Sequence, residues 1–150
     1  MNMILSVLEF YRSSEDIAQD YEYLSDNDKE KVANINAVSS FDFEDEFQNY
    51  VCYFLISPSE IEKYKNVLDS NLISYICTDI SKNVINNNIN LEKKLVKYTN
   101  HYNNELYLEF IEKTNDWIKQ NIDLDIILDM INEKGINSLR TIDKEFLEKI

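Results

Sequence analysis

The sequence has one glycine, one proline and one histidine in 150 residues. A single glycine excludes phosphate-cradling loops of the GxGxxG and GxxxxGK[ST] types, which need several positions where backbone approaches phosphate without a Cβ in the way. It also removes most hairpin-turn chemistry, so helices are expected to dominate. His101, the one histidine, has no serine or cysteine in a nucleophile-elbow context, which leaves Ser-His-Asp and Cys-His catalysis without its parts. The two cysteines, Cys52 and Cys77, lack a CxxC partner and read as small buried hydrophobes in a reducing compartment. With His101 they make three soft ligands far apart in sequence, too few for structural zinc. No metal, no cofactor and no enzymatic activity are expected. Nowhere do about 18 apolar residues run together, and the opening MNMILSVLEFYR lacks a basic stretch, so neither membrane insertion nor a secretory leader is expected. The expected location is the cytoplasm.

Bases are also scarce. Fifteen Lys and Arg stand against 28 Asp and Glu, for a net charge of −13, which argues against direct nucleic-acid binding because phosphate contacts need clustered cations. The imbalance is concentrated: residues 1–60 hold 13 acids and 3 bases, whereas residues 61–150 hold 15 acids and 12 bases. What is plentiful is apolar residues, 44% of the chain with 12% aromatic, enough for one core without metals or disulfides, so 1–150 is read as a single domain.

Residues 47–56, FQNYVCYFLI, are apolar on both alternating faces, as in a central strand covered on both sides. Ser57 offers an N-cap hydroxyl, Pro58 suits the first helical position, and Glu60 is placed to reach back and close a capping box. This predicts a helix over 58–69, with Asn71 as a left-handed residue beyond its end, followed by a second strand over 73–80. The expected fold is α+β and mostly helical, around a small sheet in which strands 47–56 and 73–80 form a parallel pair joined by the helix.

Before this unit, the spacing of Ile4, Val7, Leu8 and Tyr11 favours a helix over 3–12. Ser13 or Ser14 opens a helix to Leu24, and Ser25 to Asp28 cap another running through Val32 and Ile35 toward Val38. FDFEDEF, residues 41–47, lacks the glycine and ligand spacing of a calcium loop and reads as a solvated, acidic strand entrance. After the unit, Leu91 opens the longest helical pattern, which Asn103 and Asn104 are placed to break. Asp123 caps a helix that ends at Gly135, and Thr141 caps the last one. Carboxylates sharing helical faces, Asp125 with Asp129 and Glu105 with Glu109 and Glu112, read as solvated surface, since a di-metal bundle site would need two Glu-x-x-His pairs.

Residues 126–147, IILDMINEKGINSLRTIDKEFL, resemble the short C-terminal tail motif that follows the membrane domain of some bacterial rhomboid-like proteins: ILDKI, a glycine, SL, a threonine and EKxFL. Lys144 stands where that tail has its capping glutamate. The resemblance implies a helix, a glycine turn and a capped helix, and it carries no activity, because the catalytic membrane core has no counterpart here. The strand-helix-strand unit also looks like half of a small ferredoxin-like domain.

These features lead to an expected function. The chain reads as a small acidic binding protein that neutralises or inhibits a basic protein partner, of the toxin-immunity, antitoxin or phage-inhibitor type. The alternative is a non-catalytic structural or adaptor module of a bacterial protein complex. The expected contact surface is Asp42, Glu44, Asp45 and Glu46, supported by Asp20, Glu22, Asp26 and Asp28, because the first 60 residues hold −10 of the charge.

Overall fold

The computed structural model describes residues 2–150. The chain divides into two compact units, residues 1–80 and residues 81–150. The first contains β1 (Ile4–Glu9), α1 (Ser14–Glu22), α2 (Asp26–Ala33), β2 (Ala37–Glu44), β3 (Tyr50–Ile56), α3 (Pro58–Ser70) and β4 (Ile76–Asp79). Its four strands form one sheet in the order β2-β3-β1-β4. Every pairing is antiparallel: β1 with β3, β1 with β4, and β2 with β3.

The expected parallel pair is therefore overturned. Strands β3 and β4 do point the same way, since both run antiparallel to β1, but β1 lies between them and takes the hydrogen bonds of each. The cause is the reading of residues 3–12 as helix, which removed the strand that fills the middle of the sheet. Ile4, Val7 and Leu8 fit helical spacing, yet ILSVLE also suits a strand buried on both faces, and its inner four residues are all buried. Helix α3 thus crosses over β1 in a split β-α-β arrangement, and the whole unit follows the β-α-β-β-α-β order of ferredoxin-like folds with two short helices, α1 and α2, in the place of the first helix. A second correction falls on residues 37–44. The helix expected to run toward Val38 stops at Ala33, and AVSSFDFE is an edge strand with an alternating burial pattern.

One face of the sheet carries Leu8, Phe10, Cys52 and Ile56, packed with Ile17 and Leu24 from the first helical segment and with Ile61, Tyr64, Val67 and Leu68 from α3. Helix α3 begins as its residues dictate, with the Ser57 hydroxyl accepting from the Glu60 amide and Pro58 in the first turn. Glu60 does not close a capping box on its own helix. Its carboxylate instead accepts from the Asn36 amide at 3.3 Å and from Lys63 at 3.0 Å, and those bonds hold its pKa below the usual range. The left-handed residue after α3 is Leu72, with φ 56°, rather than Asn71.

Cys52 and Cys77 are both free thiols, and both register with Leu8, from opposite sides. Two strand spacings, roughly 9.6 Å, separate their backbones, beyond the reach of a disulfide.

The second unit is helical: α4 (Ser81–Ile85), α5 (Leu91–Leu95), α6 (Asn104–Asn121), α7 (Leu124–Lys134) and α8 (Thr141–Glu148). The long pattern opened by Leu91 breaks before Asn104, as its asparagines imply. Asp123 caps α7 by accepting from the Ile126 amide at 2.9 Å, and Gly135 ends it with φ 84°. Arg140, not Thr141, is the N-cap position of α8. Its guanidinium makes two bonds to Asp143, at 2.9 and 3.0 Å, and two to the carbonyls of Val84 and Ile85, at 2.6 and 2.7 Å. The pair clasps the end of α4 to the start of α8, with Asp143 0% exposed.

Candidate partner-binding surface

The acidic stretch lies on the β2–β3 hairpin. Asp45 builds the turn: its carboxylate accepts from the amides of Phe47 and Asn49 at 2.9 and 3.0 Å, and its carbonyl accepts from the amide of Gln48 at 2.9 Å. Gln48 takes φ 62°, the left-handed conformation that closes the turn without a glycine. Asp45 is therefore spent on architecture. The turn it makes holds Phe47 outward, 78% exposed.

The other three acids of the hairpin are exposed. Asp42 accepts from the Tyr50 hydroxyl at 2.8 Å, and Glu44 accepts from the Ser14 hydroxyl at 2.5 Å. The corner after β1 meets this end of the sheet, because the Tyr50 amide donates to the Arg12 carbonyl at 2.6 Å. Tyr11 forms that corner with φ 56° and is 57% exposed. Its hydroxyl donates to Glu9, and the charges of Glu9 and then Asp45 push its pKa above the ordinary tyrosine value. Two exposed aromatic rings thus stand among carboxylates.

The remaining expected residues do not join this group. Asp20 is bridged to Arg12 at 2.6 Å. Asp28 accepts from the Asn71 side chain at 3.0 Å, with Lys31 at 3.9 Å, and so belongs to the α2–α3 side of the unit. Glu22 and Asp26 are exposed at the end of α1 and the start of α2. Sequence reasoning missed Phe47 and Tyr11. The signal for Phe47 was local: Asp45 on one side and Asn49 on the other are turn residues, which places the phenylalanine between them in a loop and not in the strand.

Two other clusters bear chemical groups. Under α1 and α3 the hydroxyls of Tyr21 and Tyr64 bond each other, and Cys52 lies nearby in the same core. Burial pushes Tyr21 and Cys52 each up to about 12, so both keep their protons at neutral pH. In the second unit Leu91, Ile111, Thr114, Ile118 and Ile142 line a cavity of about 310 Å³. His101 is exposed and packs edge-on against Tyr102 at 5.7 Å between ring centroids. Among the described residues no group of three or more His, Cys, Asp or Glu is placed to hold a metal ion, and no helix is long and apolar enough to cross a membrane.

Comparisons of the chain with protein-family models, with curated proteins and with solved structures each return no match.

Proposed function

We propose that this chain is a small acidic protein that binds and neutralises a basic protein partner, in the manner of toxin-immunity proteins, antitoxins or phage inhibitors. The observation that carries the reading is the hairpin end, where exposed Asp42, Glu44 and Glu46 flank Phe47, with Tyr11 and Glu9 at the neighbouring corner. Carboxylates there would steer a cationic surface into contact. Exposed rings would then take the aliphatic stems and charged heads of lysine and arginine by packing and cation–π attraction. The role is non-catalytic and the proposed compartment is the cytoplasm, which the two separated thiols support. A structural or adaptor role is the second reading, favoured by the helix, glycine turn and helix of α7 and α8 in the region resembling the rhomboid-like tail.

The test reverses charge without breaking the turn. Asp42, Glu44 and Glu46 become lysine while Asp45 is kept, and association with a basic partner captured from the source cell is compared with that of a variant reversed at Glu105, Glu109 and Glu112. The hairpin variant should associate about tenfold more slowly, and wild-type association should slow between about 50 and 500 mM salt, a roughly threefold change in Debye length. Equal effects of the two sets, or rates indifferent to salt, would reduce the acidic hairpin to a solubility feature.

A further inference from the structure

We propose that the free edge of β2 takes up an extended, lysine- or arginine-bearing segment of the partner as a fifth strand of the sheet. The inference rests on the reading of a basic partner and adds how that partner is held.

The sheet order leaves two edges, β2 and β4. They differ in length: β2 has eight residues and β4 has four. An added strand needs a run of outward-facing backbone groups, and only β2 is long enough to offer several.

The direction of those groups follows from Tyr50. Its amide donates to the Arg12 carbonyl and its carbonyl accepts from the Phe10 amide, so both of its backbone groups face β1. The Glu44↔Tyr50 pair of the β2–β3 ladder therefore cannot be a hydrogen-bonded pair. The neighbouring pair across the turn agrees, since the Asp45 amide donates to the Asn49 carbonyl at 2.9 Å. Hydrogen-bonded and non-hydrogen-bonded pairs alternate along an antiparallel ladder. Phe43 and Phe41 consequently turn their backbone groups toward β3, whereas Glu44, Asp42 and Ser40 turn theirs outward. The register break between Ala37 and Ser39 lies at the other end of the strand and leaves this run regular.

The side chains of these residues name the occupant. Val38, Ser40, Asp42 and Glu44 are all exposed and alternate with the more covered odd-numbered positions. An added strand would set its own alternate side chains beside Ser40, Asp42 and Glu44, where opposite charges across strands attract and like charges repel. A second copy of this chain pairing through the same edge would bring Asp42 and Glu44 against Asp42 and Glu44. That disfavours the registers of self-pairing that set these acids face to face, and it selects a strand with basic residues at every second position. No proline or lysine in 37–44 blocks the edge.

The experiment separates the edge from the charge. The probe is a peptide of about seven residues alternating lysine and valine, strand-forming and basic on one face. Binding is followed by fluorescence anisotropy with wild-type protein, with Ser40→Pro, and with the charge-reversed hairpin variant. Ser40→Pro removes an outward amide and keeps every carboxylate, and its β3-facing ladder is untouched because that amide is not part of it. The expected result is binding weakened roughly tenfold by Ser40→Pro and also by charge reversal. The same peptide N-methylated at the amides that would face β2 should fail on wild-type protein, which decides the matter even if Ser40→Pro folds poorly. Wild-type affinity for the methylated peptide, with loss only on charge reversal, overturns strand addition and leaves the acidic reading standing. Binding that needs the edge but ignores charge reversal, or is matched by a glutamate-valine peptide, overturns the basic occupant. Concentration-dependent dimerisation abolished by Ser40→Pro would assign the edge to a second copy and overturn the proposal.

Discussion

The two units of this chain hold their charge in opposite ways. Residues 1–80 carry 16 acids and 5 bases, a net of −11, while residues 81–150 carry 12 acids and 10 bases, a net of −2. The near-neutral unit buries an ion pair: Arg140 and Asp143 are almost wholly covered, and the guanidinium also satisfies two backbone carbonyls. The acidic unit leaves its charges outside, and its cross-element bridge, Arg12 to Asp20, is about one-third exposed on each side. The Arg140–Asp143 pair of the second unit is structural, whereas its Lys119–Glu145 bridge is exposed. In the first, an exposed excess adds little to stability, since exposed pairs contribute about 0–1 kcal/mol, and it repels itself. An exposed excess that contributes so little to stability supports the proposed role in recognition.

The sharpest way to break this comparison is to remove one half of each ion pair. Asp143→Ala leaves a covered guanidinium without its carboxylate and should cost about 3–5 kcal/mol in a urea titration. Asp20→Ala exposes nothing buried and should cost less than about 1 kcal/mol. Comparable losses from the two substitutions would erase the distinction between a structural and a surface charge.

That contrast also explains what could be read from the sequence. Helix starts were legible because a cap is local: Ser13, Ser25, Ser57 and Asp123 each accept from the amide three residues on. The place of β1 was not. ILSVLE carries apolar residues at both spacings, and what decides the matter is its partners, near residues 51–56 and 76–79, which no local pattern reveals. Missing β1 turned a split arrangement into an expected parallel pair. The acidic character of the first unit was legible as composition. Which carboxylates remain available was not, because Asp45 is spent on a turn and Asp20 on Arg12 through contacts that depend on the fold.

Alkali should separate the units next. Burial raises Cys52 from its ordinary 9.0, and Tyr21 and Tyr53 from 10.0, each to about 12, and all three lie in the first unit. A group whose folded pKa is raised contributes its full stability below the unfolded value and loses it as pH climbs through the folded one. Stability should therefore hold up to about pH 9 and then decline progressively toward pH 12. Cys52→Ala should reduce the decline. Hydrogen exchange at pH 10 should show residues 1–80 opening before residues 81–150, where burial also raises Tyr107. A decline that begins in the second unit would count against the assignment.

The smallest effect concerns how each unit treats a buried hydroxyl. Ser6 and Thr114 are each 1% exposed. Ser6 is bonded to the Cys77 thiol, whereas the hydroxyl of Thr114 has no partner among the described residues. A buried hydroxyl without a bond carries its desolvation cost uncompensated, and valine has nearly the same shape without that cost. Thr114→Val should therefore stabilise the protein by about 1 kcal/mol, a rise in Tm of roughly 2–4 °C for a chain of this size. Ser6→Ala removes a made bond and should lower Tm instead. The sign is what matters, because Thr114 also lines the 310 Å³ cavity between α5, α6 and α8. A fall in Tm for Thr114→Val would mean that its hydroxyl bonds to water held in that cavity, since buried waters take polar groups the protein leaves unpaired. The two units would then satisfy their buried hydroxyls alike, one with a thiol and the other with solvent.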